Sequence, residues 1–428
     1  MPKFRTLLAA FAATLLAVPV AGAQQYQQDS ASPKIVRDSV TPKVVRDSTV
    51  RDSTPPKAKQ DSAAPKAKQD STPPKVKTPA LDFSGWVFGN FQYETDAASK
   101  AANGGSHANK FDLERAYLTF KMPAGDRMSV RVTTDLKQGQ SDAGAYQGWF
   151  VRLKYAYLQW DYALPDSNGF SALARFGMLH TVVIDHEEGF WPRWVSKTSP
   201  DRLGFFSSAD LGAATQLTLP HKLGEIYGTI TNGAGYEAPE ANSFKDFALR
   251  VSLTPFGQTD SYFKSFTISP WGYFGKNASS FVNDPTNPIS DGLAKNRYGV
   301  FLGIKDRRAT LGAEWAEKKD DSDAGSPDAF DRIVTTTTGR LYDGFAVLRP
   351  LEWGSNHGKV PSIGLLARYD HFQPNTNSNG YQEFLVGGIF WDTTPKTSFS
   401  LDYQKTTPKN GLSGNPTELW YLHWQVLF

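Results

Sequence analysis

Apolar and polar residues alternate in short segments from about residue 83 to the C terminus, and turn residues separate the segments. In one segment, Phe399, Leu401 and Tyr403 alternate with Ser400 and Asp402. A period of two residues is typical of β-strands with one apolar face. After the N-terminal region no apolar stretch of 18 residues occurs, so nothing there is long enough to be a spanning helix. The sequence therefore predicts an all-β fold, either a soluble sandwich or a barrel whose apolar face meets lipid.

The connections between the predicted strands are alternately short and long. The short ones lie near 122–126, 220–224, 306–308 and 392–396, and the long ones lie near 94–109, 137–150, 180–209, 276–294, 318–337 and 406–417. An even-stranded transmembrane antiparallel β-barrel requires this order, because its periplasmic turns are tight and its external loops are long. We expect about 16 strands. Counts of 14 or 18 stay open, because the segments near 225, 338 and 382 alternate poorly.

The N-terminal region has two parts, neither of which predicts a folded domain. Residues 1–23 are typical of a signal peptide: Lys3 and Arg5 precede an apolar run, and small residues form a cleavage site at 21–23. Residues 24–80 repeat short units around Asp-Ser and proline, with 11 Lys or Arg against 6 Asp up to residue 79. This composition predicts a disordered periplasmic linker, either a solvated spacer or a basic tether to cell-wall polymer. The barrel is then expected over 81–428.

The charge and composition narrow the function classes. The formal net charge is +3, but the signal contributes +2 and the linker +5, so the predicted barrel carries about −4. The chain has no cysteine, which excludes thiol nucleophiles, thiolate zinc sites and iron–sulfur clusters. Its 11 Trp, 17 Tyr and 28 Phe suit the aromatic girdles of an outer-membrane barrel. We expect no cofactor and no nucleic-acid partner.

The last predicted strand carries an alternating aromatic and apolar face that ends on Phe428. Trp420, Leu422, Trp424 and Val426 share this face. The pattern is similar to the terminal signal by which barrel assembly machinery recognises its outer-membrane clients. It implies export to the bacterial outer membrane, with that machinery and outer-membrane lipids as partners.

The body of the chain resembles the phosphate-selective porin O and P family. The similar segments are FDLERAYL at 111–118, LKYAYL at 153–158, ARFGML at 174–179, Glu187-Glu188, DLGA at 210–213, NGAG at 232–235 and KDFALRV at 245–251. The resemblance implies a 16-stranded barrel, a homotrimer, and a third loop that turns inward and narrows the pore. It also implies small hydrophilic or anionic solutes, phosphate among them.

Strand parity predicts which charges face the interior. Six arginines are expected to line the pore: Arg115, Arg131, Arg175, Arg250, Arg297 and Arg368. Asp135, Glu314, Asp370 and Asp402 are expected on the same face, which leaves a mild excess of positive charge. Arginine presents rigid donors that suit phosphate and carboxylate groups. The wall therefore predicts either an anion preference or a general channel of mixed charge.

The longest predicted loop, 180–209, is the candidate constriction. The charged residues of this loop that we expect at the constriction are Asp185, Glu187, Glu188, Arg193, Lys197 and Arg202. Opposed acidic and basic groups across a narrow point create a transverse field that aligns polar solutes. An external cap of mixed charge stays open as the alternative. A metal site built from His180, Asp185, His186 and Glu187 has no strong spacing signature, so no metal is expected.

The leading hypothesis is a porin that lets small hydrophilic solutes diffuse passively, with an anion or phosphate preference as the finer version. A second hypothesis is a structural barrel that anchors the envelope through residues 24–80. A third is a sugar-guiding channel with an aromatic slide along the lumen. An enzyme barrel is the least favoured, since no catalytic motif stands out in the sequence.

Overall fold

A computed structural model describes residues 80–140, 147–240, 242–278, 292–324, 333–353 and 362–428. The predicted signal peptide and, apart from Ala80, the predicted linker lie outside these residues. The described residues form sixteen strands: β1 (Asp82–Glu94), β2 (Asn109–Pro123), β3 (Met128–Gln140), β4 (Gln147–Ala163), β5 (Ser171–His180), β6 (Ala209–Leu219), β7 (Gly224–Thr231), β8 (Asp246–Leu253), β9 (Thr267–Asn277), β10 (Leu293–Lys305), β11 (Ala309–Ala324), β12 (Ile333–Leu348), β13 (Ser362–Gln373), β14 (Tyr381–Thr394), β15 (Thr397–Lys409) and β16 (Thr417–Leu427).

The strands close into one antiparallel barrel, as the sequence predicted. Each strand pairs with its neighbours in chain order, and β1 pairs with β16 in the register Trp86↔Leu427 to Glu94↔Leu419. At the seam, the Gly85 amide donates to the Phe428 carbonyl over 2.9 Å, and the Phe428 amide returns a 3.0 Å bond to Gly85. Within the described residues the sheet therefore closes without an open edge strand, and each strand has a hydrogen-bonded neighbour on both sides.

The alternation of the sequence becomes the two faces of the barrel. On β15, Phe399 and Leu401 are 40% and 47% exposed on the outer surface, whereas Ser398, Ser400 and Asp402 are at most 4% exposed inside. Leu401 lies between Ile389 of β14 and Leu422 of β16, which are exposed on the same face. An exterior of contiguous apolar side chains is unfavourable in water and favourable in hydrocarbon. The outer surface therefore suits a lipid environment.

The connections divide between two ends of the barrel, which we call the turn end and the loop end. The turn end holds the links 124–127, 164–170, 220–223, 254–266, 306–308 and 395–396, and the described part, 349–353, of the link between β12 and β13. Among the described residues, the loop end holds 95–108, 181–208, 232–240, 242–245, 374–380 and 410–416. The predicted sorting by length is not strict. The link 254–266 is long although it belongs to the turn end, and the link that begins at 349 is also long; each contains a short 3-10 helix.

Three short α-helices occur in the described residues, all of them in loops at the loop end. They are α1 (Ala97–Ala102), α2 (Ile184–Glu188) and α3 (Ser199–Arg202). Asp96 caps α1 by accepting a 2.7 Å bond from the Ser99 amide. None of the described helices is long and apolar enough to cross a membrane. The other two helices belong to the connection between β5 and β6, which carries most of the candidate site.

Placing a charge on the outer face tests its contact with lipid. In lipid vesicles, Leu401→Arg should lower the free energy of unfolding by about 2–4 kcal/mol, the cost of a cationic side chain near the bilayer midplane. Leu401→Phe keeps the face apolar and should cost much less. Urea titration followed by tryptophan fluorescence measures both variants. Equal midpoints for Leu401→Arg and the wild type would mean that this face does not contact hydrocarbon.

Candidate functional site

Residues 181–208, here called the inserted loop, lie inside the barrel. The loop backbone accepts hydrogen bonds from inward side chains on widely separated strands. Arg250 of β8 donates to the Val182 carbonyl, Lys318 of β11 to the Leu203 carbonyl at 3.2 Å, and Gln404 of β15 to the Val195 carbonyl at 3.1 Å. Because these strands lie at different places around the wall, the loop crosses the lumen rather than following one side of it.

Apolar side chains of the inserted loop pack against the wall in two clusters. In one cluster, Val182, Val183, Ile184, Phe205 and Phe206 meet aromatic residues of β4, β9 and β13. In the other, Trp191, Trp194 and Val195 meet residues of β1, β12, β13 and β14. The Trp191 ring lies 5.3 Å from that of Phe345, and its Nε1 donates to the Ser196 carbonyl over 3.0 Å. These clusters hold the inserted loop against the wall at more than one place.

Arg368 of β13 fastens the middle of the inserted loop. Its Nε donates to Asp370 Oδ1 over 2.7 Å, its Nη2 to Ser199 Oγ over 2.7 Å, and its Nη1 to the Lys197 carbonyl. Arg202 of the loop reaches the other oxygen of Asp370 at 2.8 Å. Arg368 and Asp370 are almost completely buried. The cost of burying these charges is offset only because nearly every donor and acceptor is paired, so the network depends on each member.

The acidic residues of the inserted loop differ in their state of charge. Asp185 accepts a 2.9 Å bond from Tyr155 and contacts His180, and although burial opposes it, these contacts and Lys154 hold the pKa of Asp185 below its ordinary value. Burial, together with nearby Glu314, raises the pKa of Glu187 well above its ordinary value, which favours its neutral form. Burial also raises the pKa of Glu188 to about 7.

The basic residues of the inserted loop form ion pairs. Arg193 Nη1 lies 2.8 Å from Glu114 of β2, and its Nε lies 3.5 Å from Glu188. Lys197 pairs with Asp201 at 3.1 Å within the loop. Arg202 pairs with Asp370 of the wall, as described above. All six candidate constriction residues therefore lie inside the barrel. Their acidic and basic groups contact one another as well as the wall. Their action as a constriction of a conducting pore stays a prediction.

The six predicted pore arginines are placed inside the barrel in two different settings. Arg250 and Arg368 hold the inserted loop and are at most 5% exposed. The other four contact neighbouring wall residues: Arg115 Nη1 is 3.9 Å from Asp135, Arg131 bonds Thr133, Arg175 bonds Gln159, and Arg297 bonds Asp320. The four predicted inward acids are also inside, and Asp135 and Asp370 bind arginines. Most of the interior charge is thus compensated.

Cavities lie on both sides of the inserted loop. The loop-end cavity, of about 430 Å³, is lined by charged residues including Arg115, Lys154, Glu188 and Arg297. Two of the cavities border the inserted loop on the side of the turn end. The Trp191 cavity has about 150 Å³ and the Arg175 cavity has about 340 Å³. Glu188 lines both the loop-end cavity and the Trp191 cavity, and Thr181 lines both the loop-end cavity and the Arg175 cavity. The loop is therefore the partition between the two ends.

Lys154 of β4 faces the interior, although the strict alternation of inward and outward residues did not predict it. The register between β3 and β4 shifts at this point, from Thr133↔Tyr155 to Thr134↔Leu153, so Lys154 is an extra residue in a β-bulge. Lys154 and Tyr155 both point inward, at 5% and 4% exposure. The sequence does carry a signal, because the outward apolar positions change parity from Val151 and Leu153 to Ala156 and Leu158.

The four residues weighed as a metal site do not converge. His180 contacts Asp185, His186 bonds Ser269 of β9 at 2.9 Å, and Glu187 is directed towards Glu314 of β11. Among the described residues, no group of three or more His, Cys, Asp or Glu side chains is arranged to hold a metal ion. The site is therefore one of paired charges around an inserted loop.

No protein-family model matches the sequence, and no curated protein matches it. Solved structures do share the fold. Outer-membrane expressed OmpT of Vibrio cholerae matches with a TM-score of 0.53 at 10% identity over 83% of this chain and 99% of that chain. An anion-selective porin from Comamonas acidovorans gives 0.52 at 12% over 82% and 100%. Salmonella typhi OmpF in complex with daunomycin gives 0.51 at 12% over 81% and 97%. At these identities the likeness establishes a barrel fold shared with outer-membrane porins.

Removing the guanidinium of Arg368 tests the fastening of the inserted loop. Arg368→Met leaves Asp370 short of donors and frees the Lys197 carbonyl and Ser199, so the loop should open locally more often. We expect backbone amides in 181–208 to exchange hydrogen for deuterium about tenfold faster or more, with the strands little changed. Arg340→Met is the matched control, since Arg340 pairs with Glu317 on the neighbouring strand. Equal exchange in the two variants would contradict the role given to Arg368.

Proposed function

We propose that this chain is a porin, through which small hydrophilic solutes diffuse passively across the bacterial outer membrane. One observation carries the proposal: water-accessible, charged cavities lie at both ends of a closed barrel, and a single inserted loop divides them at Glu188 and Thr181. The apolar exterior and the fold shared with outer-membrane porins support a location in that membrane. The size of the cavities supports small solutes.

The finer version of the proposal is an anion preference. The cationic lining of the loop-end cavity consists of Arg115, Lys154, Arg193, Lys197, Lys295 and Arg297. Its acidic lining consists of Glu188, Asp201, Asp210 and Glu237. A net positive lining raises the local concentration of anions. The charges are dispersed around the cavity, which favours a general anion preference over a site specific for phosphate.

The interior also bears on the competing functions. The largest aromatic side chains of the inserted loop, such as Trp191 and Phe205, are packed in clusters and almost fully buried, which favours a diffusion channel over an aromatic slide for sugars. Interior carboxylates such as Asp135 and Asp370 are bound by arginines, which favours a structural and electrostatic role for them over catalysis. An export signal at 1–23, a linker at 24–80 and a homotrimeric assembly remain parts of the proposal.

Recordings in planar lipid bilayers test the channel directly. The purified full-length protein should produce stepwise increases in conductance. In a salt gradient, the sign of the reversal potential should show a preference for chloride over potassium. An absence of steps at all voltages would overturn the channel, whereas steps with a potassium preference would overturn only the anion preference.

The ionisation of Glu188 should make the ion preference depend on pH. Because burial raises the pKa of Glu188 to about 7, this side chain is mostly neutral at pH 5.5 and mostly anionic at pH 8.5. Raising the pH therefore adds negative charge between Lys154, Arg193, Asp185 and Asp201, and the permeability ratio of chloride to potassium should fall.

Reversal potentials at the two pH values measure this effect. Glu188→Gln should keep the ratio found at low pH throughout the range. Glu240→Gln, at an exposed loop position, is the control and should behave like the wild type. A pH dependence that survives in Glu188→Gln would assign the effect to another group.

A further inference from the structure

The β-bulge of β4 places a buried ammonium group at the wall of the loop-end cavity. Lys154 Nζ lies 3.3 Å from the Tyr117 hydroxyl and 4.4 Å from the centroid of the same ring. The Tyr155 ring lies on another side, with its centroid 5.3 Å from Nζ. Bulges recur where a strand has to redirect a side chain towards a functional site, and here the redirected side chain is charged.

Lys154 differs from the other cations of this cavity in having no carboxylate in contact. Arg193 has Glu114 at 2.8 Å, Lys295 has Asp246 at 2.7 Å, and Arg297 has Asp320 at 3.1 Å. Among the described residues, no carboxylate oxygen lies within 4.0 Å of Lys154 Nζ, and Glu188 and Asp185 act on it only from beyond that distance. The Tyr117 hydroxyl is the one hydrogen-bond partner of Nζ among the described residues, so the ammonium has donors left for a further acceptor.

Arg115 adds a second group with spare capacity in the same cavity. The side chain is buried, its nearest carboxylate oxygen is 3.9 Å away on Asp135, and its Nε has no hydrogen-bond partner among the described residues. Buried donors without partners are costly unless a ligand or water completes them. Two neighbouring cationic groups with unused donors therefore line one cavity.

We propose that Lys154, with Arg115, binds the carboxylate of a small organic monoanion in the loop-end cavity. The inference rests on the proposed function and names the solute class. The cavity, of about 430 Å³, has room for a compact organic acid, and Tyr117, Tyr236 and Phe206 supply aromatic surface for its apolar body. A phosphate dianion would add a second negative charge beside Glu188 and Asp201, whereas a carboxylate adds only one.

Fluorine NMR with para-fluorobenzoate tests binding without requiring conduction. The purified full-length protein in detergent micelles at pH 8, where inorganic phosphate is mostly the dianion, should broaden and shift the probe signal saturably, whereas neutral para-fluorobenzamide should show no saturable binding. Lys154→Met should weaken binding of the acid about tenfold or more, because the charge-assisted hydrogen bond is lost. Lys154→Arg should retain it within about threefold, because the charge stays. Lys264→Met, at an exposed position of the turn end, should match the wild type.

The outcomes separate this inference from the proposed function. Unchanged binding in Lys154→Met, equal binding of the amide, or displacement of the probe by inorganic phosphate as readily as by unlabelled benzoate would overturn the carboxylate site. If Lys154→Met does not fold, the comparison of acid with amide on the wild-type protein decides alone. If bilayer recordings show no conductance steps but the probe binds, the channel function is contradicted and the carboxylate site stands. If the recordings show steps but the probe does not bind, the carboxylate site is contradicted and the channel function stands.

Discussion

In hydrocarbon, every backbone amide and carbonyl of a spanning segment has to find its partner within the protein. The pairing of β1 with β16 meets that requirement, because it leaves the sheet without an edge. Closure then fixes the two faces. Residues such as Leu401 and Ile389 lie outside, and every charged residue of the strands that cannot reach an aqueous rim has to lie inside. The interior is therefore crowded with charge before any function is considered.

The inserted loop meets the same requirement on a smaller scale. A segment that crosses the lumen brings unpaired backbone groups and its own charges into a confined space, where each needs a partner. The wall supplies these from strands far apart in sequence: Arg250, Lys318, Gln404 and Arg368 each donate to a loop carbonyl. Inward arginines thus have two roles. Some hold the loop, and others, such as Arg115 and Arg297, line the space that the loop leaves free.

The number of strands, their faces and the position of the longest loop could be predicted from the sequence, because a period of two and the polarity of the connections are local properties. The partners of the interior charges could not. The alternation along their strands predicts that Arg115 and Arg368 both face inward. Only the route of the loop decides that Arg368 binds the Lys197 carbonyl and that Arg115 faces a cavity. Lys154 was missed because parity was assumed to be continuous along β4, and a bulge interrupts it.

The charged groups on one side of the inserted loop are paired more completely than those on the other side. We infer that the less completely paired side is the part of the interior that contacts solutes. Towards β13, Arg368, Asp370 and Arg202 satisfy one another and fasten the loop. Towards β2 and β4, no carboxylate of the described residues contacts Lys154, and the mostly buried Glu188 has Arg193 at 3.5 Å. A region built only for stability would gain from closing such pairs, whereas a region that passes solutes needs charges that can exchange partners. The loop is therefore held by closely paired groups towards β13, whereas towards β2 and β4 it borders the loop-end cavity with charges that are paired less completely.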